Sequence, residues 1–252
     1  MTLAALASLP NLKLAWRRVT TGGNHPYKRF FRHLYDAYEL ALEENLRELQ
    51  IRVRSRAWKP HSPDRMYMPK ASGLQRPLTL LHIEDQIVLQ ALANIVARKV
   101  ADKRKRFIFK SVFSNILESP KSIFFLRDWH RTYSVFSSRI EKQYKSGLLW
   151  VADFDLAAFY ETISHDLLLR TAFPRLKESD ETAWVYQCLS TWTSQRAKNA
   201  KGHGLPQGPI ASDFLAEVFM LPIDRAMTGI GGYVRYVDDV RLFASTEAET
   251  GD

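Results

Sequence analysis

The stretch YVRYVDDVRLFAS, Tyr233 to Ser245, sets two short apolar runs on either side of adjacent carboxylates, Asp238 and Asp239. Short β-prone runs separated by turn-forming residues read as a hairpin. Asp is frequent in turns because its side chain bonds local backbone, so a solvated turn accounts for the pair as it stands. A divalent cation accounts for it as well. Hard cations such as Mg2+ take carboxylate oxygens, and two of them can activate an attacking oxygen and stabilise a leaving one in phosphoryl transfer. That second reading requires a further carboxylate from elsewhere in the chain.

GLLWVADFD, Gly147 to Asp155, is a mostly apolar strand that ends in acids. Asp153 and Asp155 stand two apart and share a face if the strand persists that far. Taken alone, this is also how a strand reaches solvent. Two neighbouring strands tipped by Asp155 and by Asp238-Asp239 would gather three carboxylates at one rim, and their mutual repulsion would call for a cation. GLPQGPIAS, Gly204 to Ser212, lies between them in sequence. Its glycines permit close backbone approach, and Ser212 is placed to cap a helix. It lacks the GxxxxGK[ST] pattern of a phosphate loop.

Elsewhere, Phe31, Leu34, Tyr35, Tyr38, Leu42, Leu46 and Leu49 recur at steps of three and four and predict one amphipathic helix from Tyr27 to about Arg56. RMYMPKASGLQRPLTLL predicts two short strands around Ala71-Ser72-Gly73, with Pro69 and Pro77 at edge or end positions. Further helices are expected over Glu84 to Lys99, in part of Phe107 to Lys145, and around Glu178 to Ser194 and Ala211 to Met220. Strands mixed with helices, without an internal repeat, predict an α+β unit.

At 252 residues and 46% apolar the chain is long enough to bury a core. Its 36 Lys and Arg exceed its 27 Asp and Glu, which favours a polyanionic partner where the charge is clustered. One cluster holds Arg47, Arg52, Arg54, Arg56, Lys59, Arg65 and Lys70. The other holds Arg98, Lys99, Lys103, Arg104, Lys105, Arg106 and Lys110. Trp58, Tyr67, Phe107 and Phe109 lie among them, as base or sugar stacking would need, although each cluster is also compatible with a solvated helix end. Arg54, Arg56, Lys59, Arg104, Lys105 and Arg106 are the candidate nucleic-acid contacts. Cys188 is the only cysteine, so no disulfide framework forms within one chain and a reducing cytoplasm fits. MTLAALASLPNLKLAW lacks a basic start and is too short and interrupted to span a bilayer, so a soluble cytoplasmic protein without a membrane partner is expected.

These residues also resemble a known family. DFDLAAFYETISHDLL is similar to the first catalytic motif of reverse transcriptases, GLPQGPIASDFLAEVFM to the second and YVDD to the third. YMPKASGLQRPLTLLHIEDQIVLQAL resembles the fingers motif of the bacterial enzymes. The resemblance implies a right-hand polymerase with an N-terminal helical region over 1–65, fingers over 66–146 and a palm over 147–252 whose antiparallel sheet packs on helices. It implies RNA-directed DNA synthesis on an RNA template and DNA primer from dNTPs. Asp155 and Asp238 would ligate two Mg2+ ions, with Mn2+ a possible substitute. Asp239 would complete the acidic rim, and Leu156 would offer its carbonyl. Lys70 and Arg76 would grip the triphosphate, and Gln207 and Gly208 would lie along the nascent base pair. Tyr160, five residues after Asp155, would sit beneath the incoming sugar as a gate. Plainer roles stay open: a hairpin-tip lysine for Lys70, a loop-satisfying amide for Gln207, a core ring for Tyr160.

Departures accompany the likeness. Ser212-Asp213 stands where intron and retron enzymes usually carry Ser-Pro, and the GP-x-x-S-x-x-L-A-E form looks more like phage-defence enzymes of the abortive-infection and unclassified groups. FKSVFSNILESP does not match the Arg-rich second fingers motif of intron enzymes. Only 13 residues follow Asp239, which implies a fragment, or a thumb supplied by another polypeptide. Untemplated or protein-primed synthesis on the same fold, and a dormant nucleic-acid-binding scaffold, are the alternatives.

Overall fold

The computed structural model describes residues 2–22, 26–69, 73–193, 202–227 and 229–248. The chain opens with helices α1 (Leu3–Leu6), α2 (Leu9–Thr20), α3 (Pro26–Phe30), α4 (Arg32–Glu39) and α5 (Leu42–Arg54). The single helix expected from Tyr27 to Arg56 is therefore broken into three. At the second break the Asn45 side-chain amide donates to the Tyr38 carbonyl at 2.9 Å, satisfying an acceptor that an interrupted helix leaves open. Most of the expected apolar face survives the breaks, since Phe31, Tyr35, Leu46 and Leu49 are buried, whereas Leu34 is turned to solvent.

Strands β1 (Asp64–Pro69) and β2 (Gln75–Leu80) pair antiparallel, as expected, with Asp64 opposite Leu80 and Pro69 opposite Gln75. Helix α6 (Ile83–Lys105) follows and is buried on nearly every side, consistent with its apolar residues falling all around the axis. Its buried polar residues make hydrogen bonds, although Gln90 Oε1 has no partner among the described residues. Asn94 accepts from Arg18 at 2.7 Å and donates to Asn11, which ties α2 to α6. One contiguous core cluster runs from Leu3 in α1 to Leu221 near the end of the chain, with α6 at its centre.

Beyond α6 come α7 (Trp129–Lys145), β3 (Trp150–Asp155), α8 (Phe159–Thr162), α9 (His165–Ala172), α10 (Asp180–Thr193), α11 (Ile210–Ala226), β4 (Val234–Tyr236) and β5 (Asp239–Ala244). The last strands form an antiparallel sheet in the order β3-β5-β4. Alternate residues make its two faces. Val234 and Phe243 pack on Phe136 of α7, while Arg235 points to the opposite face and bonds Glu217 and Asp224 of α11. The sheet thus lies between two helices, and the α+β class stands.

Ser212 does not cap a helix. Helix α11 begins two residues earlier behind Pro209, whose ring pre-sets the backbone, and the buried Ser212 hydroxyl has no hydrogen-bond partner among the described residues. No helix among the described residues is long and apolar enough to cross a membrane.

Candidate functional site

Strand β3 persists to Asp155, so Asp153 and Asp155 share a face. The register sets Asp153 opposite Arg241 and Asp155 opposite Asp239. Asp238 and Val237 form the two-residue turn between β4 and β5. The three acids expected at one rim therefore meet at one end of the sheet. Burial raises the Asp238 carboxyl above its usual range, Asp155 and Asp239 add to the rise, and the Arg76 guanidinium opposes it. Arg241 grips both oxygens of Asp239 at 2.9 Å and reaches Asp153 at 3.3 Å. That fork neutralises part of the rim and leaves Asp155 and Asp238 as its less-committed members. Among the described residues no group of three or more His, Cys, Asp or Glu stands arranged to hold a metal ion. The donor chemistry of Asp155 and Asp238, hard oxygens that repel one another, nevertheless fits a divalent hard cation.

The turn that carries Asp238 is strained and braced. Val237 has φ +59°, a left-handed conformation that is an outlier for a β-branched residue and that glycine usually fills at the first position of such hairpins. Its N–H donates to Ser114 Oγ at 2.8 Å, and its carbonyl accepts from Arg235 Nη1 at 2.8 Å. Arg235 is fully buried and pairs with Glu217 at 2.9 Å and Asp224 at 2.8 Å. Burial acts to lower its pKa, but the two carboxylates overcome this and hold the guanidinium charged. Ser114 Oγ in turn donates to Glu217 at 2.6 Å.

Arg104 belongs to the same network, which corrects its expected role. It is 2% exposed, bonds the carbonyls of Ser114 and Asn115, and reaches Glu217 at 3.4 Å. A guanidinium so enclosed cannot meet a nucleic-acid backbone. Its neighbours Lys105 and Arg106 remain exposed, as do Arg54, Arg56 and Lys59, although Arg56 pairs with Asp180 at 2.8 Å. Trp58 and Phe107, expected among the stacking aromatics, are buried in the core, whereas Tyr67 and Phe109 are exposed.

The glycine-containing loop runs against α8. Gly204 N–H donates to the Ile163 carbonyl and Leu205 N–H to the Tyr160 carbonyl, both at 2.8 Å. The fully buried His165 holds the Gly204 carbonyl at 2.7 Å from Nε2; since a carbonyl only accepts, Nε2 carries the proton, and burial lowers the imidazole pKa so that it stays neutral. Gln207 accepts from Thr79 N–H of β2 at 2.8 Å through its carbonyl, so the loop is pinned to the β1-β2 hairpin. The Gln207 side-chain Oε1 is buried and has no partner among the described residues. Gly208 has φ +123° and faces the Tyr27 ring so closely that a Cβ there would overlap it. Tyr27 is itself fixed, because its hydroxyl donates to the Thr79 carbonyl at 3.0 Å and accepts from Leu81 N–H at 3.2 Å.

Tyr160 stands partly buried, and its hydroxyl donates to Asp213 Oδ1 at 2.7 Å. Leu156 follows β3 directly and packs against the core. Arg76 is exposed on β2 and its charge acts on both Asp213 and Asp238, while Thr79 of the same strand bonds the Gln207 carbonyl, so β2 lies alongside the loop and within electrostatic range of the acidic rim. Lys70 lies outside the described residues.

Sequence reasoning missed Tyr27, Ser114, His165, Asp213, Glu217, Arg235 and Arg241 as parts of this site. Arg241 was readable, since it sits two residues after Asp239 and strand alternation sends both to one face. Arg235 also bonds Val237 two residues on, but the acids it meets, and the partners of the others, lie on different elements and carry no local signal.

A family model described as reverse transcriptase (RNA-dependent DNA polymerase) matches residues 68–251, well over half of the chain. Protein YkfC of Escherichia coli (strain K12) is 22% identical over 182 residues, which cover 71% of this chain and 45% of that protein. The group II intron-encoded protein LtrA of Lactococcus lactis subsp. cremoris is 20% identical over 185 residues, 73% of this chain and 28% of that protein. The chain thus spans less than half the length of these relatives. A solved structure titled "Partial Cas6-RT-Cas1--Cas2 complex" aligns over 97% of this chain and 38% of its own, with a TM-score of 0.48 and 16% identity. The matched span begins at the end of β1, takes in β2, the glycine-containing loop and the acidic rim, and passes the end of β5, and on that match the chain belongs to the reverse transcriptase (RNA-dependent DNA polymerase) family.

Proposed function

We propose that this chain is the fingers and palm of an RNA-directed DNA polymerase, with a helical region over 1–65, fingers over 66–146 and palm over 147–252. The reading rests chiefly on one observation: Asp155 lies in register with Asp239, beside Asp238 in the turn between β4 and β5. Two Mg2+ ions, for which Mn2+ can substitute, would be held by Asp155 and Asp238 with the Leu156 carbonyl and Asp239 alongside, and would lower the pKa of the attacking 3′-oxygen and stabilise the departing pyrophosphate.

The chain's own residues supply placement and charge. Arg76 offers a planar fork to the triphosphate of a dNTP, and Lys70 a compact point charge. Gln207 and Gly208, pinned by Thr79 and backed by Tyr27, present a rigid ledge to the nascent base pair. Tyr160 puts a ring beneath the sugar, where a 2′-hydroxyl meets its face. Exposed Arg54, Arg56, Lys59, Lys105 and Arg106 neutralise the backbone of the RNA template and DNA primer. Fixed dipoles and charges aimed at the reacting phosphate account for rate in such a site without covalent chemistry from the protein. A role in phage defence is supported by the form of the GPIASDFLAE segment.

Primer extension on an RNA template tests the assignment. Asp155→Asn and Asp238→Asn in the full-length protein should each lower divalent-dependent incorporation by at least about 100-fold, or roughly 2.7 kcal/mol, with thermal unfolding little changed. Near-parent rates in both variants would overturn it, and incorporation of a single nucleotide type without added RNA would point to untemplated synthesis.

A further inference from the structure

We infer that Asp213 is a positioning residue for nucleotide-sugar selection, acting through the hydroxyl of Tyr160. The inference deepens the reading of Tyr160 as the sugar gate and rests on it. Tyr160 lies in α8, a helix of a single turn that begins behind Ala158 in a left-handed conformation (φ +49°). So short an element does not fix an aromatic ring by its own hydrogen bonds. The ring's far end is held instead from α11, where Asp213 Oδ1 accepts the Tyr160 hydroxyl at 2.7 Å across 53 residues of sequence.

The bond is anchored on both sides. Asp213 sits in the first turn of α11, and its backbone carbonyl accepts from Asn115 Nδ2 at 3.4 Å. The same Asn115 amide reaches Glu217 of the network that braces Val237. On the other side the Tyr160 carbonyl takes the Leu205 N–H, so the residue is held at backbone and hydroxyl at once. The Asp213 carboxyl is pushed up to about 7 by burial, partly offset by the Tyr160 hydroxyl, with Glu217 raising it and Arg76 lowering it. A carboxyl placed where its charge is disfavoured needs a local purpose, and among the described residues its side-chain hydrogen bond goes to the Tyr160 hydroxyl.

A ring pinned at its hydroxyl cannot tilt away from a 2′-hydroxyl, so steric rejection of ribonucleotides keeps its full cost. Without that bond the ring keeps its packing on the core and on Phe159 but loses the tether at its far end, so it can tilt, and discrimination falls while the ring remains. Rejection built from a clash depends on the rigidity of the clashing group.

The test compares the ratio of ribo- to deoxynucleotide kcat/KM in primer extension by the full-length protein, alongside the ratio of the two triphosphates' binding constants to the same protein–primer complex before turnover. Asp213→Ala and Tyr160→Phe should each raise both ratios about fivefold, equivalent to about 1 kcal/mol, the scale of one hydrogen bond. The double variant should go no further than either single, and Asp213→Asn, which keeps an acceptor oxygen, should restore most of the selectivity. If Tyr160→Ala shifts the ratios but Asp213→Ala and Tyr160→Phe do not, Asp213 is only a structural residue and the inference is overturned. If Tyr160→Ala itself leaves the ratios unchanged, it is the gate reading that fails. A fall in use of both sugars alike, at constant ratio, also rejects the positioning role.

Discussion

Gly208 shows how much one atom decides in this site. Its φ of +123° is open to glycine and strained for other residues, and a Cβ would be driven into a Tyr27 ring that two hydrogen bonds hold still. Gly208→Ala therefore combines backbone strain with overpacking and should cost about 1–3 kcal/mol or more in denaturant unfolding. The steric share depends on the ring, so Gly208→Ala should cost measurably less in a Tyr27→Ala background, with a coupling of about 0.5–3 kcal/mol in the double-mutant cycle. Additive effects would mean the ring yields freely. The sequence showed that a glycine here permits close approach, but not what approaches, because Tyr27 lies 181 positions upstream. Asp155, Asp238 and Asp239 were legible because strand alternation and turn composition are local properties. The Asp213–Tyr160 bond was not, since no periodicity joins two residues on separate helices.

At the scale of elements, the hairpin of β4 and β5 holds a strained valine at its tip and offsets that strain by buried charge. Taking Arg235 away would remove the ion pairs it makes with the enclosed Glu217 and Asp224, leaving Arg104 on Glu217 and the Tyr233 hydroxyl on Asp224. Removing one partner of a buried pair is far more damaging than its net contribution suggests, because an uncompensated charge stays behind. Arg235→Met should therefore destabilise the protein by about 3–5 kcal/mol in equilibrium unfolding. Arg56→Ala, which breaks the exposed pair with Asp180, should cost about 0–1 kcal/mol. Comparable losses from the two variants would deny the network its bracing role. In the sequence Arg235 reads as one more basic residue in a strand, and only the packing of that strand face on α11 gives it acids to meet. The expected 27–56 helix differs for a local reason: the apolar spacing marked most of the buried positions, but at the second break the Asn45 amide takes up the Tyr38 carbonyl that a continuous helix would have bonded.

Across the whole molecule the excess of basic residues divides into two populations. Lys105 and Arg106 are exposed at the end of α6 and free to neutralise phosphates, whereas Arg104 beside them is sealed into the core. Binding to a primer–template should weaken steeply with salt, as counterions released by phosphate contacts dictate. Replacing Lys105 and Arg106 together by Ala should lower the slope of log K against log salt by about 1–2, while Arg104→Met should leave the slope unchanged and lower stability. A slope that responds to Arg104→Met and not to the double variant would reverse the assignment. The chain's charge, its α+β alternation, its acidic strand ends and its four ordered motifs were determined by the sequence, because each is written in neighbouring residues or in their period. Which arginines face water, which acids are forked by Arg241, what the glycine loop rests on and what holds Tyr160 were decided by tertiary structure alone. Burial and pairing depend on contacts between segments up to 181 residues apart, and a linear pattern of side chains carries no record of which distant neighbour will exclude the water.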